Sequence, residues 1–194
     1  MGLTLIDPPG LEPITLEQAK AFLRVDADHE DGVIADLIAA ARQRVETATG
    51  RALIAQTWRE TRDAWSGGAG WDPVTGAVRL PKPPLIEVTE IAVTAADGSS
   101  LVLDPGSYRA DPHGEPGRIV RTGLASWPAP ASPVSGVSIT FIAGYGADPS
   151  TVPADLIQAL LLLIAHSFER RDGADAPWPD PVLSLIGPYR AVRL

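Results

Sequence analysis

The sequence predicts an α+β fold: a small bundle of about three main helices, an antiparallel β subdomain inserted into it, and an extended C-terminal tail. Three observations carry the prediction. Apolar residues recur at helical spacing in 15–49 and again in 153–171. The stretch between them alternates β-branched or aromatic residues with polar ones and is punctuated by Gly and Pro. After residue 173 the chain becomes rich in Asp and Pro, with scattered apolar side chains. On this reading 1–52 supplies the N-terminal helices, 53–150 the β insertion, 151–173 the helix that completes the bundle, and 174–194 a linker and tail.

The last of the main helices organises the rest. In PADLIQALLLLIAHSFERR, placed at about 100° per residue, Leu156, Ile157, Leu160, Leu161, Leu163, Ile164 and Phe168 fill an arc of roughly 160°, wider than the stripe of an ordinary surface helix. It is therefore expected at the centre of the core. Leu162 falls outside that arc, among Asp155, Gln158, His166 and Glu169, so either it is one exposed leucine or that side meets another surface. Thr151 reads as the N-cap, Pro153 suits the first turn, and Arg170 and Arg171 suit the negative end before Gly173. The uninterrupted apolar run covers only 159–165, far short of the about 20 residues a membrane span needs.

Taken in order, an extended Pro-rich lead gives way to Thr15-Leu16-Glu17-Gln18, the pattern of a capping box opening a first helix. That helix stops at Val25, before the acidic run Asp26 to Asp31. A second helix follows, with Ile34, Leu37, Ile38, Ala41, Val45 and Ala48 on one face and Gly50 as its stop. Ala35, Ala39 and Ala40 leave its other side thin, which close approach of a neighbouring helix would use, although alanine is also simply the best helix former. In the insertion, 54–65 reads as a strand and 66–70 as a flexible loop. Strands at 86–94 and 101–103 flank Asp97-Gly98 as a hairpin, short strands lie near Tyr108 and at 118–121, and a last strand carries Val137, Ile139 and Phe141.

Composition and spacing exclude much chemistry. The chain has no cysteine, which removes thiolate nucleophiles, disulfides and cysteine metal sites together. His29, His113 and His166 stand in no metal or triad spacing. The run from Asp26 to Asp31 resembles a calcium loop until its sixth position, Asp31 instead of Gly, and its twelfth, Leu37 instead of Glu. Gly144-Tyr145-Gly146 lacks the spacing of a phosphate loop. No catalytic residue, cofactor or metal is expected, and the N-terminus has neither the basic start nor the apolar core of a signal peptide. The net charge is −8 with no basic stretch, which argues against tight phosphate binding to nucleic acid.

A set of phrases occurs in a fixed order: Pro13-Ile14-Thr15-Leu16-Glu17-Gln18-Ala19-Lys20 leading to Leu23-Arg24-Val25-Asp26, then Glu30-Asp31, and Thr49-Gly50-Arg51-Ala52-Leu53. Phe141-Ile142-Ala143-Gly144-Tyr145-Gly146, Val152-Pro153, Glu169-Arg170-Arg171 and Leu185-Ile186-Gly187-Pro188-Tyr189-Arg190 complete it. In this order the chain resembles the head-to-tail connector, or adaptor, proteins of long-tailed bacteriophages and of phage-derived gene transfer agents. The resemblance implies a structural virion protein with no enzyme activity. It implies a dodecameric homo-oligomeric ring beneath the portal, at the neck of a particle assembled in the host cytoplasm, linking capsid to tail. It further implies that DNA passes through the lumen without specific binding, that a downstream neck, stopper or tail protein lies below, and that no membrane is involved. The alternatives are another neck or tail-completion ring protein and, more remotely, a hydrolase using paired carboxylates.

Within that resemblance two surfaces are expected. Leu185, Ile186, Pro188, Tyr189, Arg190 and Arg193 are expected in a tail that docks on the portal, because Gly187-Pro188 interrupts any continuous helical stripe and the Pro-rich residues before it read as a linker; the competing reading packs this tail back on the apolar central helix. Ala35, Ala39 and Leu162 form subunit contacts.

Overall fold

The computed structural model describes residues 1–123, 126–170 and 177–190. In chain order the elements are β1 (Gly2–Asp7), α1 (Leu16–Leu23), α2 (Asp31–Thr49), β2 (Gln56–Arg62), β3 (Val78–Arg79), β4 (Leu85–Thr94), β5 (Ser100–Val102), β6 (Tyr108–Asp111), β7 (Arg118–Arg121), β8 (Val137–Ala143), α3 (Ala154–Glu169) and α4 (Asp180–Ile186). Single 3-10 turns lie at Asp28–Glu30, Pro105–Ser107, Pro149–Thr151 and Gly187–Tyr189. The chain divides into a β unit, Met1–Pro9 with Ala55–Gly144, and a helical unit, Gly10–Ile54 with Tyr145–Leu194.

The β unit holds a five-stranded sheet ordered β1-β2-β8-β4-β5 and a three-stranded sheet ordered β3-β7-β6, with antiparallel pairing throughout. The alternation of VSITFIA makes β8 the centre: Val137, Ile139, Phe141 and Ala143 point to the buried face, and the strand pairs along its length with β2 and β4. Opposite them stand Gln56, Trp58, Glu60 and Arg62 of β2, and Ile91 and Val93 of β4. The small sheet meets this face. Arg62 Nη2 donates to the Arg79 carbonyl at 3.0 Å, and at Gly117 a Cβ would collide with Leu85, so only glycine fits there. The predicted hairpin is present, with Gly98 at φ +80 and Asp97 Oδ1 accepting the Ser99 N–H at 2.9 Å. The strand expected over 54–65 is shorter, ending at Arg62, because Asp63 leaves the ladder to accept the Ser135 N–H at 2.9 Å.

In the helical unit the Thr15 capping box is complete: Gln18 N–H donates to Thr15 Oγ1 at 3.1 Å and Thr15 N–H to Gln18 Oε1 at 2.9 Å. The helix closes on Arg24 in the left-handed region. α2 buries Ile34, Ile38, Ala41 and Val45 and ends at Gly50, φ 74. The acidic run before it is tied to α1, since Lys20 Nζ lies 3.0 Å from Asp28 and 2.6 Å from Asp31. These two carboxylates hold the Lys20 ammonium above its ordinary pKa, Asp31 most strongly. α3 buries Leu156, Ala159, Leu160, Leu163 and Ile164 within the core cluster, as its wide apolar arc predicts. Its N-cap is Pro153 and not Thr151; Thr151 belongs to the preceding 3-10 turn, where its hydroxyl donates to the Asp148 carbonyl.

Two expectations are corrected. Residues 1–9 do not lead into the helices: β1 pairs with β2, because Leu3-Thr4-Leu5 continues the ladder opposite Trp58-Arg59-Glu60. The C-terminal segment is not extended either. α4 starts after Pro179 and carries Pro181 in its first turn, where a missing N–H breaks no hydrogen bond. Gly187–Tyr189 then continues as a 3-10 turn with Pro188 again in its first turn. The helical stripe thus runs on past the Gly-Pro pair.

Candidate assembly surfaces

The C-terminal segment is held by its apolar side and by two arginines, Arg51 and Arg44. Val182 and Ile186, four residues apart on α4, are both 0 % exposed, and Leu185, Tyr189 and Trp178 pack against the same cluster as Leu156, Leu160 and Leu163. Arg51, nearly buried, donates from Nε to the Tyr189 carbonyl at 2.8 Å and from Nη1 to the Tyr145 hydroxyl at 3.4 Å, with its guanidinium 5.8 Å from the Tyr189 ring centre. Burial pushes the Tyr189 phenol above its ordinary pKa; the Asp155 carboxylate adds to this and the charge of Arg51 opposes it. The Arg44 guanidinium lies 5.1 Å over the Trp178 ring.

A second polar network is built on the C-terminal half of α2. Arg42 donates from Nε and Nη2 to Glu12 at 2.7 and 3.2 Å and from Nη1 to Glu46 at 3.0 Å, while Glu46 accepts the Leu53 N–H at 2.8 Å. Burial works against the Arg42 charge, but Glu12 and Glu46 together raise its pKa above the ordinary value. A buried charge without partners would be strongly destabilising, so this network ties the lead before α1 and the chain after Gly50 to α2.

The sequence-predicted residues separate accordingly. Ile186 is buried in its own unit, which removes it from any docking surface, and Leu185 and Tyr189 are half-buried against the same core. Pro188 and Arg190 are exposed, and Arg193 lies outside the described residues. Leu162 is half-buried and packs against the core cluster, Ala39 is half-buried, and Ala35 is exposed. The structure therefore brings Leu185, Ile186, Tyr189 and Leu162 to one cluster and leaves Ala35, Pro188 and Arg190 at the surface.

In the β unit Glu60, 0 % exposed, lies 2.9 Å from Arg62 Nη2, itself almost buried. Burial raises the Glu60 pKa and the Arg62 charge opposes the rise. Trp65 and Trp127 pack with ring centres 4.4 Å apart and planes tilted by 41°, and their indole N–H groups donate to the Pro128 and Ser107 carbonyls, respectively. With Trp71, Val74 and Arg121 they line an open cleft of about 500 Å³. Sequence reasoning missed Arg51 and the placement of β1. The only signals were an arginine between Gly50 and Ala52 and the short alternation Leu3-Thr4-Leu5. Among the described residues no group of three or more His, Asp or Glu could hold a metal, and no helix is long and apolar enough to cross a membrane.

The family described as Phage gp6-like head-tail connector protein matches residues 13–100. Among solved structures, a chain in the neck of an empty gene transfer agent particle, computed with C6 symmetry, is 30% identical. The match covers 100% of this chain and 97% of that one, with a TM-score of 0.82. A chain of the virion of a native gene transfer agent particle is 29% identical, with coverage of 100% and 97% and a TM-score of 0.80. One in the neck of a native particle computed with C12 symmetry is 30% identical at the same coverage, with a TM-score of 0.76. No curated protein matches.

Proposed function

The chain belongs to the phage gp6-like head-tail connector family, and from that premise we propose that it is the adaptor ring protein of a phage or gene-transfer-agent neck, seated beneath the portal and joining head to tail. The observation that carries this reading is the end-to-end likeness to a neck chain, 30% identical over 100% of this chain and 97% of that one. Twelve copies suit the C12 symmetry of one such neck. The net charge of −8, repeated around a ring, repels DNA phosphates, so a genome can pass without being held.

The portal contact falls on the outward side of the C-terminal segment, at Pro188 and Arg190, with Arg193 following them in sequence; Ile186, Leu185 and Tyr189 hold that segment on its own bundle. On α2, exposed Ala35 with Ala39 offers a thin surface to a neighbouring copy. Below the ring stands a stopper or tail protein. Deleting the gene in cells that make the particle tests the reading. Heads with a portal and separate, unattached tails are expected, whereas tailed particles without this protein would contradict it.

A further inference from the structure

The five-stranded sheet ends in two open edges. Among the described residues β1 pairs only with β2, and β5 only with β4, so within them each outer edge leaves backbone N–H and C=O groups without a strand partner. β5 is only three residues long and β1 is bulged between Leu5 and Asp7, both of which limit the edge they offer, but neither strand carries a lysine or proline. Instead, apolar side chains stand in solvent at both: Leu5 and Ile6 at 40% exposure, Leu101 at 50% and Val102 at 55%. Leu5 lies opposite Trp58, which faces Phe141, and Leu101 lies opposite Val93, which faces Val137. Directly opposed residues share a face. Leu5 and Leu101 therefore belong to the same face of the sheet, at its two ends.

Direction decides what such edges can join. Every neighbouring pair in the order β1-β2-β8-β4-β5 is antiparallel, so β1 and β5 run the same way. A ring generated by one rotation axis, as in necks computed with C12 or C6 symmetry, needs a heterologous contact between two different patches of each subunit. The two ends of one sheet are such a pair. We infer that the β1 edge of one copy adds in parallel to the β5 edge of the next, so that a single sheet continues from subunit to subunit and Leu5 meets Leu101 across each joint. Pairing β1 with β1 instead would require a two-fold axis and would close a dimer. The inference rests on the ring reading given under Proposed function.

The absence of cysteine makes the test direct. Leu101→Cys is combined with Leu5→Cys or with Leu3→Cys, covering two registers, and each protein is assembled with portal and oxidised. A ladder of covalent oligomers on a non-reducing gel is expected from a double variant and none from the single variants. Leu101→Lys should melt like the wild type yet fail to form rings. Disulfide dimers from Leu5→Cys alone, or Leu101→Lys rings like those of the wild type, would overturn the inference. So would complete rings in electron micrographs with no ladder, a result that leaves the neck reading standing. If the unsubstituted protein forms no ring on the portal, the neck reading fails and the inference falls with it.

Discussion

Replacing Ile186 by Ala tests whether the C-terminal segment is core or a free docking tail. Ile186 is 0 % exposed and belongs to the cluster that includes Leu156, Leu160 and Leu163. Truncating a fully buried isoleucine to alanine removes its transfer free energy and leaves a cavity, together costing about 2–5 kcal/mol. For a chain of this length each kcal/mol shifts the melting midpoint by about 2–4 °C, so a fall of about 4–20 °C is expected. Pro188→Ala, at an exposed position, serves as the control and should stay within about 0.5 kcal/mol of wild type. Circular dichroism at the helical band follows the melt, and a urea titration checks that the cooperativity is unchanged. If Ile186→Ala melted with the wild type while losing portal binding, the packed α4 would be refuted and a tail ordered only by its partner would replace it.

Three further outcomes follow from the same contacts. Arg62→Met should cost about 3–5 kcal/mol in urea unfolding, because it leaves Glu60 buried without its partner, whereas Glu60→Leu with Arg62→Met should recover most of that loss; equal stability of both variants would refute it. Thr15→Ala removes one bond of the capping box and should cost about 0.5–2 kcal/mol, visible as a lower urea midpoint at unchanged slope. On acidification, Asp111, held below 3.8 by Arg118, and Asp148, held below 3.8 by Ser150, bind protons less readily folded than unfolded. Their contribution is present above the unfolded value and lost as pH falls through the folded one, so the melting midpoint should drop only below about pH 4. Glu60 has the opposite sign: its pKa is raised above 4.5, so its contribution is complete below that value and lost as pH rises through the folded one. A melting midpoint that falls steadily from pH 7 to pH 5 would contradict both assignments.

What could be read from the chain alone was what local pattern encodes. The wide apolar arc of α3, the Thr15-Gln18 box, the Gly50 stop and the Asp97-Gly98 turn each rest on residues near one another in sequence, and each appears where expected. What could not be read depends on distant partners. Leu3-Thr4-Leu5 is too short to declare itself a strand until Trp58-Arg59-Glu60 supplies the ladder. Gly187-Pro188 reads as a helix break, yet proline in a first turn is tolerated, and the fit of Val182, Ile186 and Tyr189 against α3 decides the outcome. Arg51 stands out only as an arginine between Gly50 and Ala52, and its role could not be read there because its partners Tyr145 and Tyr189 are remote in sequence. Of the expected docking residues, burial withdraws Ile186 and leaves Pro188 and Arg190 at the surface.

The most direct test of the connector reading is electron cryomicroscopy of the purified particle with the neck reconstructed at side-chain detail. A ring of twelve copies of this chain between portal and tail, each with α4 packed against α3, is the expected density. A neck whose density is filled by other chains, with this protein absent from the particle or located elsewhere in it, would contradict the reading.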